Sequence, residues 1–156
     1  MFYIVGTENC SRIDQTDYIF EKGEYALGGN VGFGGIRTTD KPRGSLSAVD
    51  IVTGQVKEQI TLTFPSVSGI LSTAGGVIFS ATLDGTVSAY HNQTLEQLWS
   101  MNLGTGFSAP PMTYAVDGKQ YVAILAGSSR ISAGHGRGIP ELANVNPTHM
   151  LFVFAL

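Results

Sequence analysis

The chain has 156 residues, enough for one ordinary domain with its own core. Charged residues make up only 13% and the net charge is −3, which excludes the basic field expected of a nucleic-acid binder. That charge content is about half the usual ~25%, so much of the surface is hidden or the chain is part of something larger.

Twenty glycines call for many turns, and the β-branched and aromatic residues between them call for strands. Met1-Phe2-Tyr3-Ile4-Val5 opens directly into a β-like run. It has no charged leader and no small-residue cleavage site, so the start reads as a mature interior and not as a secretory signal. A strand is expected at 2–6, then a long loop at about 10–43. Within that loop Cys10 is the only cysteine and can form no internal disulfide. Asp14 and Asp17 lie close together and read as a solvated loop. Residues 28–35, GGNVGFGG, are glycine-rich but lack the lysine-plus-hydroxyl ending of a phosphate loop and open no helix.

Strands follow at 45–50 and 56–63, then at about 69–74, 77–82, 86–91 and 97–102. Residues 109–127, APPMTYAVDGKQYVAILAG, are two apolar runs around Asp117-Gly118, a strong short-range hairpin signal. The double proline stands at the entrance of the first strand, where a missing N–H is tolerated. A second long loop, about 127–148, contains GSSRISAGHGRG, and a last strand covers 151–156.

These elements repeat. GSLSAVDIVTG at 44–54 matches GTVSAYHNQTL at 85–95 through Gly44/Gly85, Ser47/Ser88, Ala48/Ala89 and Thr53/Thr94, always 41 positions apart. Residues 69–73 stand opposite 110–114 at the same offset, with a turn expected to be two residues longer in the later copy. A period near 40 with several strands per unit is the signature of a β-propeller blade. The fold expected is therefore all-β: four-stranded antiparallel blades, about two and a half of them, with one complete blade at about 69–102.

The units resemble the blades of the quinoprotein alcohol dehydrogenases, which use pyrroloquinoline quinone (PQQ). That family repeats a docking motif, Ala-x-Asp-x-x-x-Gly-x-x-x-Trp. The earlier copy here, Ala48 to Glu58, keeps Asp50 and Gly54 and has Glu58 at the tryptophan position. The later copy, Ala89 to Trp99, keeps Trp99 and has His91 and Leu95 in place of Asp and Gly. STAGGVIF (72–79), DGTVSAY (84–90) and PPMTYAVDGKQYVAILAG (110–127) look very like the last blades of these enzymes.

The resemblance implies the C-terminal third of an eight-bladed propeller. It implies a periplasmic PQQ-dependent oxidoreductase acting on an alcohol, polyol or sugar and passing electrons to a cytochrome or quinone. It also implies a Ca²⁺ or lanthanide ion that polarises the quinone, and a catalytic Asp. Those metal ligands and that Asp fall in earlier blades, so no catalytic or metal residue is assigned in this chain.

Two cofactor positions carry over. FYIVGTENCSRID resembles the segment whose asparagine hydrogen-bonds the quinone, which falls on Asn9; an amide can both donate and accept there. Val67, in PSVSG, stands where the family often has a tryptophan beside the cofactor. A second tryptophan often follows the LAG segment, and here the chain runs Gly127-Ser128-Ser129-Arg130-Ile131.

The alternative is a non-catalytic propeller, like the outer-membrane assembly scaffolds that share such blades without the cofactor. Asn9 is expected to face the propeller axis and Trp99 to lie between blades. The isolated chain is expected to be inactive and to self-associate. His91 reads as a turn cap, and His135 and His149 lack metal-ligand spacing. Cys10 reads as a small buried or inert thiol, and Asn92-Gln93-Thr94 as a turn.

Overall fold

The computed structural model describes residues 1–12, 19, 21–23, 36–37, 41–127, 134–136 and 138–156. Among the described residues, twelve strands account for nearly all of the regular structure. In chain order they are β1 (Phe2–Glu8), β2 (Ser11–Arg12), β3 (Ile36–Arg37), β4 (Arg43–Val49), β5 (Val56–Leu62), β6 (Ile70–Ser72), β7 (Val77–Ala81), β8 (Thr86–His91), β9 (Gln97–Asn102), β10 (Met112–Val116), β11 (Lys119–Ala126) and β12 (Met150–Ala155). A 3₁₀ turn covers Pro140–Asn144, and residues 134–136 are helical.

The strands form three successive antiparallel sheets, in the orders β1-β4-β5, β6-β7-β8-β9 and β10-β11-β12. The middle sheet is the complete four-stranded blade expected from the repeat. The second and third sheets are meanders of consecutive strands; in the first, β1 pairs with β4 across a connection that holds β2 and β3. The stretch read as loop after residue 10 also carries a two-stranded ribbon, β2 with β3.

Burial follows position in the stack. Central strands are covered on both faces, so β4 and β8 read as nearly continuous buried runs. The outer strand β9 is exposed along its whole length. One core joins the first two sheets: Leu46, Ala48 and Leu62 meet Ile78, Tyr90 and Leu95. Two more join the second and third sheets, Ala81 and Val87 with Phe107, Ile124 and Ala126, and Phe79 and Ala89 with Val122.

The 41-residue repeat has a direct steric cause at its glycines. A Cβ on Gly44 would lie 2.5 Å from the Phe64 carbonyl oxygen, and one on Gly85 would lie 2.8 Å from the Thr105 nitrogen. Phe64 and Thr105 are themselves 41 apart, so each third strand begins where the chain leaving the blade crosses it. Only a glycine admits that approach.

The Asp117-Gly118 hairpin forms as expected: both residues have positive φ (50° and 77°) and join Val116 to Lys119, the geometry of a type I′ turn. The difference in turn length is three residues, not two. Thr73 and Val77 close over three residues, whereas the equivalent Tyr114 and Tyr121 pair across six. The two-residue Asp-Gly turn lets two further residue pairs zip before the chain reverses.

Candidate cofactor-contact rim

Strand register fixes which residues share an end of the sheets. Glu8 pairs with Arg43 and Gly44 with Leu62, so the exits of β1 and β5 lie at one end of the first sheet. Ile70 pairs with Ser80 and Thr86 with Asn102 in the second sheet, and Ala126 with Met150 in the third. The connections leaving these ends therefore form one rim. Asn9 follows β1 on it, and Val67 lies on the connection from β5 to β6.

The Val67 connection is held rigidly. Ser66 and Ser68 are 3% and 1% exposed, and both hydroxyls donate to the Ala81 carbonyl, at 2.7 and 2.8 Å. Ser68 Oγ also accepts the Ala81 N–H at 3.0 Å. Leu83 N–H donates to the Pro65 carbonyl at 3.0 Å, and the next connection repeats this bond from Gly127 N–H to the Gly106 carbonyl at 3.0 Å. Val67, between these two buried serines, is half-buried.

Asn9 is exposed, and its Nδ2 donates to Ser11 Oγ at 3.2 Å. Among the described residues that is its one side-chain hydrogen bond. A carboxamide carries a further N–H and an acceptor oxygen, and an amide N–H is the group that a quinone oxygen would take. An apolar, half-buried side chain such as that of Val67 suits the face of a flat ring. The two residues thus fit an aromatic, oxygen-rich cofactor, each from its own connection.

At the opposite end of the sheets lie the two docking turns. Asp50 Oδ1 accepts the Val52 and Thr53 N–H groups, both at 2.9 Å, and Gly54 follows with φ of 70°. Those bonds, Thr53 first and then Val52, hold the Asp50 carboxyl below its usual range.

The later turn reproduces this with other residues. His91 Nδ1 accepts from Gln93 and Thr94 N–H at 3.2 and 3.3 Å, so His91 is the turn cap expected. Leu95 takes the glycine position with φ of 55° and donates its N–H to the His91 carbonyl at 3.0 Å. It is only 1% exposed, because its side chain fills the core between the first two sheets. The Tyr3 hydroxyl donates to the Asn92 carbonyl at 2.9 Å across the same interface, and burial raises the Tyr3 pKa.

Trp99 lies between blades, as expected. Its ring meets Phe154 of the third sheet edge-on, with centroids 5.4 Å apart. Glu58 occupies the equivalent register position opposite Ala48, as Trp99 does opposite Ala89.

Cys10 is exposed, not buried, because it follows β1 beyond the reach of any core. Among the described residues no three His, Cys, Asp or Glu side chains gather as a metal site. Among the described residues no helix is long and apolar enough to cross a membrane. Asp14 and Asp17, the glycine run at 28–35 and residues 128–131 lie outside the described residues. The ordering of Pro140–Asn144 against this rim had no counterpart in the sequence reading; its only local signal is the proline that starts the turn.

Three consecutive antiparallel sheets stacked face to face, joined at one rim by repeated connections, define a segment of a β-propeller. A family model described as "PQQ: Glucose/ethanol/alcohol dehydrogenase, beta-propeller domain" matches residues 36–122. The chain is 36% identical over 140 residues to a quinoprotein ethanol dehydrogenase of Pseudomonas putida, covering 90% of this chain and 21% of that protein. It is 45% identical over 87 residues to a quinohemoprotein alcohol dehydrogenase of Comamonas testosteroni, covering 56% and 12%. A europium-containing methanol dehydrogenase superposes with a TM-score of 0.66 at 29% identity, covering 80% of this chain and 25% of the other. The chain belongs to the PQQ-dependent dehydrogenase β-propeller family, and it spans about a fifth of the length of the Pseudomonas putida relative.

Proposed function

We propose that this chain forms the C-terminal part of the propeller domain of a periplasmic PQQ-dependent dehydrogenase. The substrate class is an alcohol, polyol or sugar, and the electron acceptor a cytochrome or quinone. The observation that carries the reading is the rim itself. Asn9 and the strapped Val67 lie on it, the two positions that the family resemblance assigns to cofactor contact, and family membership supports the reading.

PQQ, when bound, supplies the two-electron acceptor, with Ca²⁺ or a lanthanide as the Lewis acid beside it. The residues of this chain bind and orient. Asn9 would donate an amide N–H to a quinone oxygen, and Val67 would cover the ring and exclude water from one side. The metal ligands and catalytic Asp belong to other blades, so the chain alone is inactive. Its outer faces, rich in Phe2, Ile4, Met112, Tyr114, Leu151 and Val153, would be covered by neighbouring blades or, in isolation, by further copies.

The test is a PQQ titration of the full-length protein that carries this chain, followed by fluorescence quenching with Ca²⁺ or a lanthanide present. Asn9→Ala should weaken PQQ binding by about tenfold, the loss of one hydrogen bond to a polar ligand. Binding unchanged by Asn9→Ala and by Val67→Ser would remove this rim from the cofactor site.

A further inference from the structure

One segment of the third sheet's β11–β12 connection crosses this rim. It leaves Ile139, which is 3% exposed, and ends on Thr148. Thr148 is held twice by the Thr105 hydroxyl, which donates to its carbonyl and accepts its N–H, both at 3.2 Å. Thr105 is itself 3% exposed. Both ends of the segment are thus anchored in buried surroundings. Between them no residue is buried, neither in the turn Pro140–Asn144 nor at 145–147.

The middle of the segment is tied differently. The Glu141 carboxylate takes the Lys41 ammonium from a residue 100 positions earlier. Lys41 precedes the fully buried Pro42 and β4, and its ammonium lies 5.6 Å over the Phe64 ring, where β5 runs into the Val67 connection. Leu142 lies close against Gly136, where an added Cβ would sit 3.0 Å from Leu142 Cδ1 and 3.6 Å from Leu83 Cδ1. Leu83 is the residue bonded to Pro65. The segment therefore runs from the third sheet, past the second, to the start of the first. The Lys41 bond also holds the Glu141 carboxyl below its usual range, so the tie is ionic at neutral pH.

The geometry points to a hinged flap: residues 140–147, anchored at Ile139 and Thr148 and latched by Lys41–Glu141, close the rim beside Val67 and gate exchange of the cofactor there. This rests on the reading that the rim contacts PQQ. The energetics suit a gate. The anchors are buried, whereas the latch side chains are 40% and 50% exposed. An exposed ion pair shifts an equilibrium by no more than about fivefold and is weakened by salt. The latch can open while the anchors hold, the behaviour of a locally weak segment in a stable scaffold.

Hydrogen exchange by mass spectrometry on the full-length protein tests the latch, and the rate of PQQ release after dilution, read by fluorescence, tests the gate. Glu141→Gln should speed exchange across 140–147 about two- to fivefold and leave the amides of Ile139 and Thr148 unchanged. PQQ release should accelerate by a similar factor. Raising salt from about 0.05 to 0.5 M should do the same to the wild type and little to the variant. The exchanged pair Lys41→Glu with Glu141→Lys should restore slow release, which a merely misfolded variant would not. Exchange unchanged by Glu141→Gln overturns the latch. Faster exchange with unchanged PQQ release overturns the gate alone. Failure of both proteins to bind PQQ overturns the functional reading and the gate with it, while the exchange data still decide whether the latch exists.

Discussion

Leu95 stands where the family docking motif has glycine, so restoring the glycine looks like an improvement. The structure predicts that it destabilises. Leu95 adopts a left-handed conformation with φ of 55°, which costs a non-glycine residue about 1–2 kcal/mol. The same residue is 1% exposed and packs with Leu46, Leu62, Ile78 and Tyr90 between two sheets. Truncating a buried leucine to alanine costs about 2–5 kcal/mol. Leu95→Ala loses the packing and keeps the strain, so it should cost about 3 kcal/mol. Leu95→Gly loses the packing but relieves the strain, so it should cost about 2 kcal/mol. The order matters more than either value, because at ordinary positions glycine is the worse of the two by about 0.5–1 kcal/mol. Urea unfolding followed by fluorescence of Trp99, the only tryptophan, measures both at matched protein concentration. A glycine variant no more stable than the alanine variant would refute the left-handed turn. Either variant within about 0.5 kcal/mol of wild type would refute the packing.

His91→Asp should stabilise by about 0.5–1 kcal/mol in the same assay, because a carboxylate accepts the two backbone N–H groups that now reach Nδ1 at 3.2 and 3.3 Å. Trp99→Ala, followed by circular dichroism during urea unfolding because the variant lacks the fluorescent probe, should cost about 2 kcal/mol, less than a fully buried tryptophan, since the residue is 36% exposed but packs edge-on against Phe154. Asp50 has a lowered carboxyl pKa in the folded chain, so its stabilising effect is present above the usual Asp range and is lost as pH falls through the lowered value. The stability gap between wild type and Asp50→Asn should be constant from pH 7 to about 5 and close below about 4, as read by urea unfolding at each pH.

The strands were legible because the repeat doubles the signal. Short β-rich runs between turn signals, with glycines at fixed offsets, leave little freedom in pairing. His91 was legible as a cap because a turn needs an acceptor at that position and imidazole nitrogen is one. Leu95 was not: a leucine in a glycine position reads as a lost motif until its burial is seen. The β2–β3 ribbon was not legible either, since two-residue strands carry no periodicity. The rim was legible only through family resemblance, because Asn9 and Val67 are ordinary turn and loop residues by composition. The segment 139–148 is latched by an ion pair spanning 100 positions, which no local pattern announces.

The central claim is that this rim contacts PQQ. A structure of the full-length protein with PQQ bound tests it most directly. The account predicts the Asn9 carboxamide within hydrogen-bonding distance, about 2.7–3.2 Å, of a quinone oxygen, and Val67 against the ring face. A cofactor that touches neither Asn9 nor any residue of the Pro65–Gly69 connection would contradict it.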